Sequence, residues 1–195
     1  MFESGYYCTE ELKQAGFKSL GENVLIAKNC TIVNPQNISI GSNVRIDGYC
    51  SLIAGEISGI SIGSFVHIGS YCFLSGGESI IMDDFSALSQ SVKIYTRSDD
   101  YTGETLTNPT VPLQYKNITS GSVHIQKHCL IGSGCVILPN VIVGEGVSVG
   151  ALSLLTLNLK PWYVYYGNPV RKLKARSKKL LELESKLVED IKSEK

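Results

Sequence analysis

Residues Val123–Leu155 decide the fold of this chain. Read in sixes, they give IQKHCL (125–130), IGSGCV (131–136), ILPNVI (137–142), VGEGVS (143–148) and VGALSL (149–154), followed by Leu155. An aliphatic residue opens each group, and a small or β-branched residue stands four places later. A strict period of six fits neither a 3.6-residue helix nor an alternating strand. It is typical of parallel β-helices, in which each group supplies a short strand and a corner.

The same period extends towards the N-terminus, where it begins weakly at Leu20. Counted in threes, the groups predict six triangular coils, at residues 20–39, 40–61, 62–81, 82–124, 125–142 and 143–160. All insertions fall after the third group of a coil, at one corner of the prism. Three of them are short, and the fourth is the long segment 95–122. Insertions on one face of a repeat protein often mark its binding face.

Composition excludes several classes of protein. The chain has 195 residues with 18 basic and 18 acidic side chains, so no bulk charge favours nucleic acid or an anionic membrane. Its N-terminus has no basic region followed by an apolar run, and no segment reaches the length of a membrane span. The sequence therefore predicts a cytoplasmic protein without membrane insertion.

The six cysteines indicate packing rather than disulfides or zinc. No C-x-x-C motif occurs, and five of the six stand at the fifth place of a group, where small side chains fit the interior. These five are Cys30, Cys50, Cys72, Cys129 and Cys135. The period offers no explanation for Cys8.

The two ends lack the repeat. Residues 1–19 are interpreted as an N-terminal cap with a short helix whose N-cap is Thr9. Residues 20–160 form the β-helix, and residues 161–195 an aromatic connection followed by a charged helix from Arg171. Several leucines of that helix, from Leu173 to Leu187, fall near one face, which predicts docking along the prism or on a neighbouring subunit.

The long insertion is the first candidate for chemistry. It groups polar and aromatic side chains that suit sugar binding, and long structured loops are usually functional. Its candidate substrate-binding residues are Arg97, Asp100, Tyr101 and Asn108. The alternative interpretation is a solvated arm or a subunit contact.

Three histidines raise the idea of a zinc hydrolase. The coil positions argue against a shared metal, because His67 and His128 lie two coils, about 10 Å, apart within one chain, whereas metal-bound nitrogens lie about 2 Å from zinc. A site across subunits stays as an alternative. His67 is also a candidate general base, since its reference pKa suits neutral pH.

Together with the single long loop and the turn Gly167-Asn-Pro-Val-Arg, the six-residue groups make the chain resemble the hexapeptide-repeat acetyltransferases over residues 20–175. Within that family it resembles most the galactoside and maltose O-acetyltransferases and their relatives in surface-polysaccharide biosynthesis. The resemblance implies a left-handed β-helix, a homotrimer, and acetyl-CoA in a groove between subunits, with no metal.

The resemblance also implies roles for individual residues. It places Ser133 and Ala151 along the pantetheine groove with Thr156, and Arg171 and Lys174 near the phosphates of the nucleotide, a charge-assisted contact. A tight turn before a solvated basic helix would explain the last two equally well.

The catalytic position departs from the family pattern. Asp99 stands where the family has its general-base histidine, and an ordinary carboxylate is a weak base for a sugar hydroxyl. A free amine near its pKa is already a good nucleophile. We therefore expect acetyl transfer to a sugar hydroxyl or to an amino sugar, either of which can be nucleotide-linked, with His67 as base or relay and Asp99 orienting the acceptor. The alternatives are a metal-dependent β-helix hydrolase, resembling carbonic anhydrase, and a non-catalytic scaffold.

Overall fold

The chain winds into a three-sided prism. The computed structural model describes residues 5–193. Its main strands form three sheets, A, B and C, which the chain enters in the order B, A, C in each coil. Strands of successive coils pair in parallel, as Arg45, His67 and Ala87 do on sheet A. Six such coils follow one another, so the predicted left-handed parallel β-helix is confirmed.

The strands are numbered in chain order. Sheet A contains β1 (Tyr6–Tyr7), β3 (Val24–Ala27), β6 (Val44–Ile46), β9 (His67–Ile68), β12 (Ala87–Leu88), β17 (Leu130–Ile131), β20 (Ser148–Val149), β22 (Tyr163–Tyr166) and β23 (Arg171–Ala175). Sheet B contains β2 (Ser19–Leu20), β5 (Ile38–Ile40), β8 (Ile60–Ile62), β11 (Ile80–Met82), β16 (Val123–Ile125) and β19 (Ile142–Val143). Sheet C contains β4 (Thr31–Val33), β7 (Ser51–Ala54), β10 (Phe73–Gly76), β13 (Lys93–Tyr95), β18 (Val136–Ile137) and β21 (Leu154–Leu155).

One continuous core runs along the axis of the prism. The aliphatic openers on sheet A are 0–3 % exposed: Ile26, Ile46, Ile68, Leu88, Ile131 and Val149. Burying each such side chain stabilises the fold by about 1.5–3 kcal/mol. Cysteines at the fifth place also point inward. Cys129, for example, is 1 % exposed and donates its thiol hydrogen to the backbone oxygen of Gly144. Burial raises the pKa of this thiol to about 12, as befits a packing residue.

Aromatic side chains stack along two edges of the prism. Their backbones adopt the left-handed conformation, with φ of 57° at Phe65 and Phe85, 62° at Tyr49 and 64° at Tyr71. Because L-residues other than glycine and asparagine seldom adopt this conformation, contacts between coils must stabilise it. The ring centroids of Phe65 and Phe85 lie 4.7 Å apart, and those of Tyr49 and Tyr71 lie 5.0 Å apart.

Insertions gather at the corner between sheets C and B, as the period predicts. The long one is closed by β14 (Arg97–Ser98), which pairs antiparallel with β15 (Thr119–Ser120). Buried Thr96 anchors its start, since its hydroxyl donates to the backbone oxygen of Ser75 at 2.7 Å and accepts the backbone N–H of Glu78 at 2.9 Å. The loop is therefore an ordered extension of the prism.

A short helix, α1 (Thr9–Leu12), covers the first coil, and β1 pairs antiparallel with β3 beside it. The predicted N-cap was wrong by one residue. Cys8 is the cap, and its backbone N–H donates to Glu11 Oε2 at 2.8 Å. Thr9 instead accepts the backbone N–H of Val24 at 2.8 Å, which fastens the helix to the prism. Residues 1–4 of the predicted cap lie outside the described residues.

The prediction of a helix from Arg171 was also wrong. Residues Arg171–Ala175 form β23, which pairs antiparallel with β22 above the last coil. Pairing satisfies the backbone groups of an otherwise open strand, and this outweighs the helical propensity of a Lys- and Leu-rich segment. Leu173 is 62 % exposed in consequence. The helix α2 begins only at Leu180 and runs to Ser193.

The helix α2 docks along the edge between sheets B and A. Glu184 accepts hydrogen bonds from Lys127 and from His128 Nε2, the latter at 2.8 Å. The bond from Lys127, followed by that from His128, lowers the pKa of the Glu184 carboxyl. Docking along the prism is therefore the arrangement observed, and Leu180, Leu183 and Leu187 face a groove beside Phe85. Between residues 5 and 193, neither helix has the length and apolar character needed to cross a membrane.

Candidate active site

Two predicted cofactor residues lie on one edge of the prism. We define the A–C edge as the corner where each coil passes from sheet A to sheet C, that is residues 28–30, 47–50, 69–72, 89–92, 132–135 and 150–153. Ser133 and Ala151 occupy this edge on coils five and six. A Cβ atom on Gly132 would stand 2.6 Å from the backbone nitrogen of Ala151. The coils approach each other so closely here that a side chain on Gly132 would clash with the backbone of the coil above.

Ser89 occupies the same edge on coil four, and sequence reasoning missed it. It follows the opener Leu88, whereas the equivalent places on coils three and five hold Gly69 and Gly132. Its hydroxyl therefore stands between two stretches of bare backbone. The sequence does hold one indication of it, namely a serine at the place where the coils before and after have a glycine.

His67 lies on β9, next to the strand that ends before Ser89. Its Nε2 is 2.8 Å from Asp47 Oδ2. The other carboxylate oxygen, Oδ1, accepts hydrogen bonds from Arg45 Nε at 2.8 Å and from the Tyr6 hydroxyl at 2.7 Å. The imidazole is 43 % exposed, while the Asp47 side chain is only 12 % exposed. A nearly buried carboxylate thus orients a solvent-facing histidine.

The Asp47 carboxylate is ionised at neutral pH. Burial opposes its charge, but the hydrogen bonds from Arg45, Tyr6 and His67 outweigh burial and hold the pKa of Asp47 at about 2. The ionised carboxylate fixes the orientation of the partly exposed imidazole through its contact with Nε2.

Asp99 lies in a second place, the groove between the long loop and sheet C. This groove has a volume of about 820 Å³, and Arg97 and Tyr101 also line it. Phe73 and Val136 from sheet C contribute apolar surface. His67 lines a different depression, beside Asn43 and Phe65, so one chain does not bring the two predicted catalytic residues into one groove.

The four predicted substrate residues differ in how free their side chains are. Tyr101 is 93 % exposed. The Arg97 guanidinium pairs with Glu78 at 3.0 Å and packs over Gly77. The carboxylate of Asp100 and the amide of Asn108 both bind the loop itself.

Asp100 Oδ1 accepts from the backbone N–H and hydroxyl of Thr102, and Oδ2 accepts from the same groups of Thr105, at 2.6–3.0 Å. These bonds, led by the one from the Thr102 hydroxyl, lower the pKa of Asp100 to about 2. Asn108 Oδ1 likewise accepts the backbone N–H of Thr110 at 2.9 Å and its hydroxyl at 2.6 Å. Both side chains shape the loop.

The predicted phosphate-binding cations lie at the top of the prism. Arg171 and Lys174 are exposed on β23, opposite Tyr166 and Val164 of β22. The turn between β22 and β23 is tied to the A–C edge, because the backbone N–H of Gly167 donates to Ser153 Oγ at 3.0 Å. Thr156 is exposed just after β21. Arg171 thus lies near the upper end of the edge that carries Ser133 and Ala151, while Lys174 lies further along sheet A, towards the B–A edge.

The other two histidines also pair with carboxylates. His124 Nε2 lies 2.9 Å from Asp83, and His128 Nε2 contacts Glu184 of α2. In the part of the chain that the structure describes, no three His, Cys, Asp or Glu side chains are grouped to hold a metal ion. Each histidine has its own carboxylate, on three different parts of the prism.

Comparison with known proteins gives the class. Residues 122–156 match the family described as "Bacterial transferase hexapeptide (six repeats)". The chain is 45 % identical to a dTDP-4-amino-4,6-dideoxy-D-glucose acyltransferase of Escherichia coli, over 90 % of its own length and 91 % of that protein. The chain belongs to the hexapeptide-repeat acyltransferases.

Solved structures narrow the class further. The N-acyltransferase AntD of Bacillus cereus, solved with dTDP and coenzyme A, superposes with a TM-score of 0.92 and 48 % identity over 95 % of this chain and 99 % of AntD. A maltose O-acetyltransferase of Clostridium difficile shares only the fold, at 22 % identity and a TM-score of 0.59 over 87 % of this chain and 75 % of that one. The protein is an acyltransferase, which confirms the predicted enzyme class. This class replaces the two alternatives considered from the sequence, a metal-dependent hydrolase and a non-catalytic scaffold.

Proposed function

We propose that the enzyme transfers an acyl group from a CoA thioester, such as acetyl-CoA, to the 4-amino group of a dTDP-linked 4-amino-4,6-dideoxy sugar. The likeness to two nucleotide-amino-sugar acyltransferases over nine-tenths or more of the chain carries this proposal. It favours the amino acceptor over the hydroxyl acceptor, between which the sequence alone did not decide.

The chemistry is a direct attack. The acceptor nitrogen bonds to the thioester carbonyl carbon, the C–S bond breaks, and the products are an amide and coenzyme A. The attacking amine must be neutral, so one group must take a proton from the ammonium form and a second proton must reach the departing thiolate. A hydrogen-bond donor close to the carbonyl oxygen would stabilise the charge that develops there.

Ser89 and Asp99 are the side chains we assign to the reacting centre. The solved AntD variants replace one aspartate and one serine, ten residues apart in that chain. Ser89 and Asp99 are also ten residues apart, and no other serine of this sequence precedes an aspartate by that interval. In this proposal Ser89 contacts the acceptor amine or the carbonyl oxygen, and Asp99 holds the ammonium group. His67, one coil away from Ser89, takes the proton.

The acyl donor then lies along the upper A–C edge. Ser133, Ala151 and Thr156 contact its pantetheine arm, and Arg171 and Lys174 contact its phosphates by charge-assisted hydrogen bonds. Ser133 and Ala151 lie on the A–C edge of successive coils, and Arg171 lies near the upper end of that edge.

The long loop supplies the acceptor side. Arg97 and Tyr101 contact the sugar nucleotide, while Asp100 and Asn108 act through the loop shape that their hydrogen bonds fix. Within a single subunit, Asp99 lies apart from Ser89 and His67. We therefore propose a homotrimer in which the loop of one subunit reaches the A–C edge of the next. We also propose that the enzyme works in the cytoplasm in surface-polysaccharide biosynthesis, where its sugar product would be used.

A thiol-release assay tests the activity. The purified enzyme is given acetyl-CoA with dTDP-4-amino-4,6-dideoxyglucose, with the 4-hydroxy analogue dTDP-6-deoxyglucose, or with free amino sugar. We expect coenzyme A release and an amide product with the first acceptor. Turnover of the 4-hydroxy sugar nucleotide without turnover of the amino sugar nucleotide would contradict N-acylation and favour an O-acetyltransferase.

A further inference from the structure

Gln90 is an exposed side chain on the A–C edge that has no role in the site described so far. It follows Ser89 directly on coil four, and its Oε1 accepts the hydroxyl hydrogen of Ser133, on coil five, at 3.1 Å. The carboxamide thus extends from the coil of the proposed reacting centre to a coil that we assign to the pantetheine arm. An acyl donor that reaches Ser89 along this edge passes beside it.

The side chain of Ser89 is directed at the same place. On the coils before and after, a Cβ atom on Gly69 would stand 2.9 Å from the backbone nitrogen of Gln90, and one on Gly132 would stand 2.6 Å from that of Ala151. Side chains at this place of the corner therefore point towards the coil above. The Ser89 hydroxyl accordingly faces coil five, on the side to which the Gln90 carboxamide extends.

Gln90 keeps its N–H groups for a ligand. In the described part of the chain, neither its Nε2 nor its backbone N–H donates to a protein acceptor. The corresponding backbone N–H groups on the B–A edge, where each coil passes from sheet B to sheet A, are capped from the coil above. That of Ser42 donates to Ser64 Oγ at 3.0 Å, and that of Ser64 donates to Asp84 Oδ1 at 2.7 Å. Ser133 holds the equivalent place above Gln90, but its hydroxyl donates to the carboxamide oxygen instead.

Neutral N–H donors suit an oxygen that is uncharged in the substrate and gains negative charge only in the transition state. The thioester carbonyl oxygen of the acyl donor is such an atom. When the amine nitrogen bonds to the carbonyl carbon, an electron pair of the C=O bond moves to this oxygen. The pair returns to re-form C=O as the C–S bond breaks, so the donors stabilise the charge and give up no proton.

We propose that Gln90 is a catalytic residue whose Nε2 and backbone N–H donate hydrogen bonds to the thioester carbonyl oxygen. The bond from Ser133 holds the carboxamide oxygen and leaves Nε2 for the substrate. This assignment leaves the Ser89 hydroxyl for the acceptor amine. The inference rests on the proposed function for the path of the acyl donor along the edge.

Steady-state kinetics of two substitutions test the role of the carboxamide. Gln90→Ala should lower kcat about 10²-fold, the loss typical of one preorganised donor. The KM for acetyl-CoA should stay within about three-fold of wild type, because the contact is strong only in the transition state. An unchanged kcat in Gln90→Ala would overturn the inference, as would a raised KM without a lower kcat.

Gln90→Glu separates a catalytic role from a structural one. The glutamate keeps an oxygen for the Ser133 hydroxyl but places a carboxylate beside the developing charge, so this variant should be slower than Gln90→Ala at neutral pH. Protonation of a glutamate, whose ordinary pKa is about 4.3, restores a donor. The kcat of Gln90→Glu relative to wild type should therefore rise as the pH is lowered. A ratio that does not change with pH would contradict the role.

Infrared difference spectra test the contact without turnover. Acetyl-CoA with a ¹³C-labelled carbonyl is bound to the enzyme without an acceptor. Its C=O stretch should lie at a lower frequency in wild type than in Gln90→Ala, because a hydrogen bond to the oxygen weakens the C=O bond. The same frequency in both proteins would show that Gln90 does not contact this oxygen.

Gln126→Glu is the matched control. Gln126 also extends from one coil to the next, on the B–A edge, where its Oε1 accepts the backbone N–H of Glu145 at 2.9 Å. A carboxylate oxygen can accept the same bond, so this variant should match wild type in kcat and in the C=O stretch. A wild-type enzyme that shows the lowered stretch yet fails to acylate the amino sugar would refute the proposed function alone. Acylation of the amino sugar at the wild-type rate by Gln90→Ala would refute this inference alone.

Discussion

In the proposed mechanism, Ser89 is the residue at which donor and acceptor meet. It carries the hydroxyl at the place where the adjacent coils have Gly69 and Gly132. The repeat cannot reveal such a residue. Its period constrains the side chains that point inward, whereas outward places are free to vary, and chemistry is placed there.

Replacing Ser89 should slow the chemical step. We expect Ser89→Ala to lower kcat about 10²-fold, the loss typical of one preorganised hydrogen-bond donor. The KM for acetyl-CoA should change little, because the donor is bound along the rest of the edge. Ser61→Ala, an exposed serine of β8 on sheet B, is the control and should match wild type. An unchanged kcat in Ser89→Ala would remove this residue from the reacting centre.

The residue type of His67 was enough to make it a candidate general base, but its hydrogen-bond partners could not be predicted from the sequence. Asp47 comes from the preceding coil and Tyr6 from the N-terminal segment, so only the folded chain joins them. The same applies to Asp100, where the sequence indicated a substrate contact and the structure shows a carboxylate engaged with Thr102 and Thr105.

The Asp47 network should contribute stability that depends on pH. Its folded pKa, about 2, lies below the ordinary value of 3.8, so the charged form is favoured by folding. Its contribution is full above about pH 4 and is lost as the pH falls towards 2. Asp47→Asn should therefore lower the thermal midpoint at pH 7 but much less at pH 3. A midpoint difference that stays constant between these two pH values would contradict the assignment.

At the scale of single elements, the strand β17 tests the register of the whole prism. Ile131 is fully buried, while its neighbour Leu130 is 45 % exposed. Ile131→Ala should cost about 2–5 kcal/mol in the free energy of unfolding, as a buried large-to-small change. Leu130→Ala should cost about 0.5 kcal/mol, as a surface change. If denaturant titration gave equal losses of unfolding free energy for the two variants, the assignment of Ile131 as inward-facing and Leu130 as outward-facing would be wrong.

The elements outside the repeat were the ones that the sequence predicted least well. The coils were predictable because each strand repeats one pattern on its neighbours. The segment 171–175 was predicted as helix because its composition favours one, yet pairing with β22 decided its structure. Long-range pairing leaves no local pattern in the sequence, so propensity alone could not reveal it.

The strand β23 carries the two cations that we assign to the nucleotide end of the acyl donor. Replacing both Arg171 and Lys174 by alanine should raise the KM for acetyl-CoA about ten-fold or more, because charge-assisted bonds to phosphate are lost. The KM for dephospho-acetyl-CoA should rise less. An equal increase for the two donors would show that neither side chain meets the 3′-phosphate. Lys186→Ala, an exposed lysine on α2, is the control.

At the scale of the whole molecule, the A–C edge carries the donor side of the proposed site, and the long loop carries the acceptor side. Ser89, Ser133 and Ala151 share that edge, while Asp99 lies over sheet C. A homotrimer with cyclic symmetry would resolve this separation, since each loop could reach the edge of the neighbouring subunit. The site would then be completed only by assembly.

Mixed assemblies test this arrangement directly. Ser89→Ala and Asp99→Asn should each give nearly inactive enzyme when alone. If every site takes Ser89 from one subunit and Asp99 from the next, random mixing of the two variants in equal amounts should restore about a quarter of wild-type activity. Co-expression with two different affinity tags allows the mixed trimers to be isolated, and about a third of wild-type activity is expected in that fraction, since one of its three sites is complete. A Ser61→Ala and Asp99→Asn mixture, in which about half of the sites keep Asp99, is the control. If both residues of a site came from the same subunit, no mixture of Ser89→Ala with Asp99→Asn chains would exceed the activity of the variants alone, and the shared site would have to be abandoned.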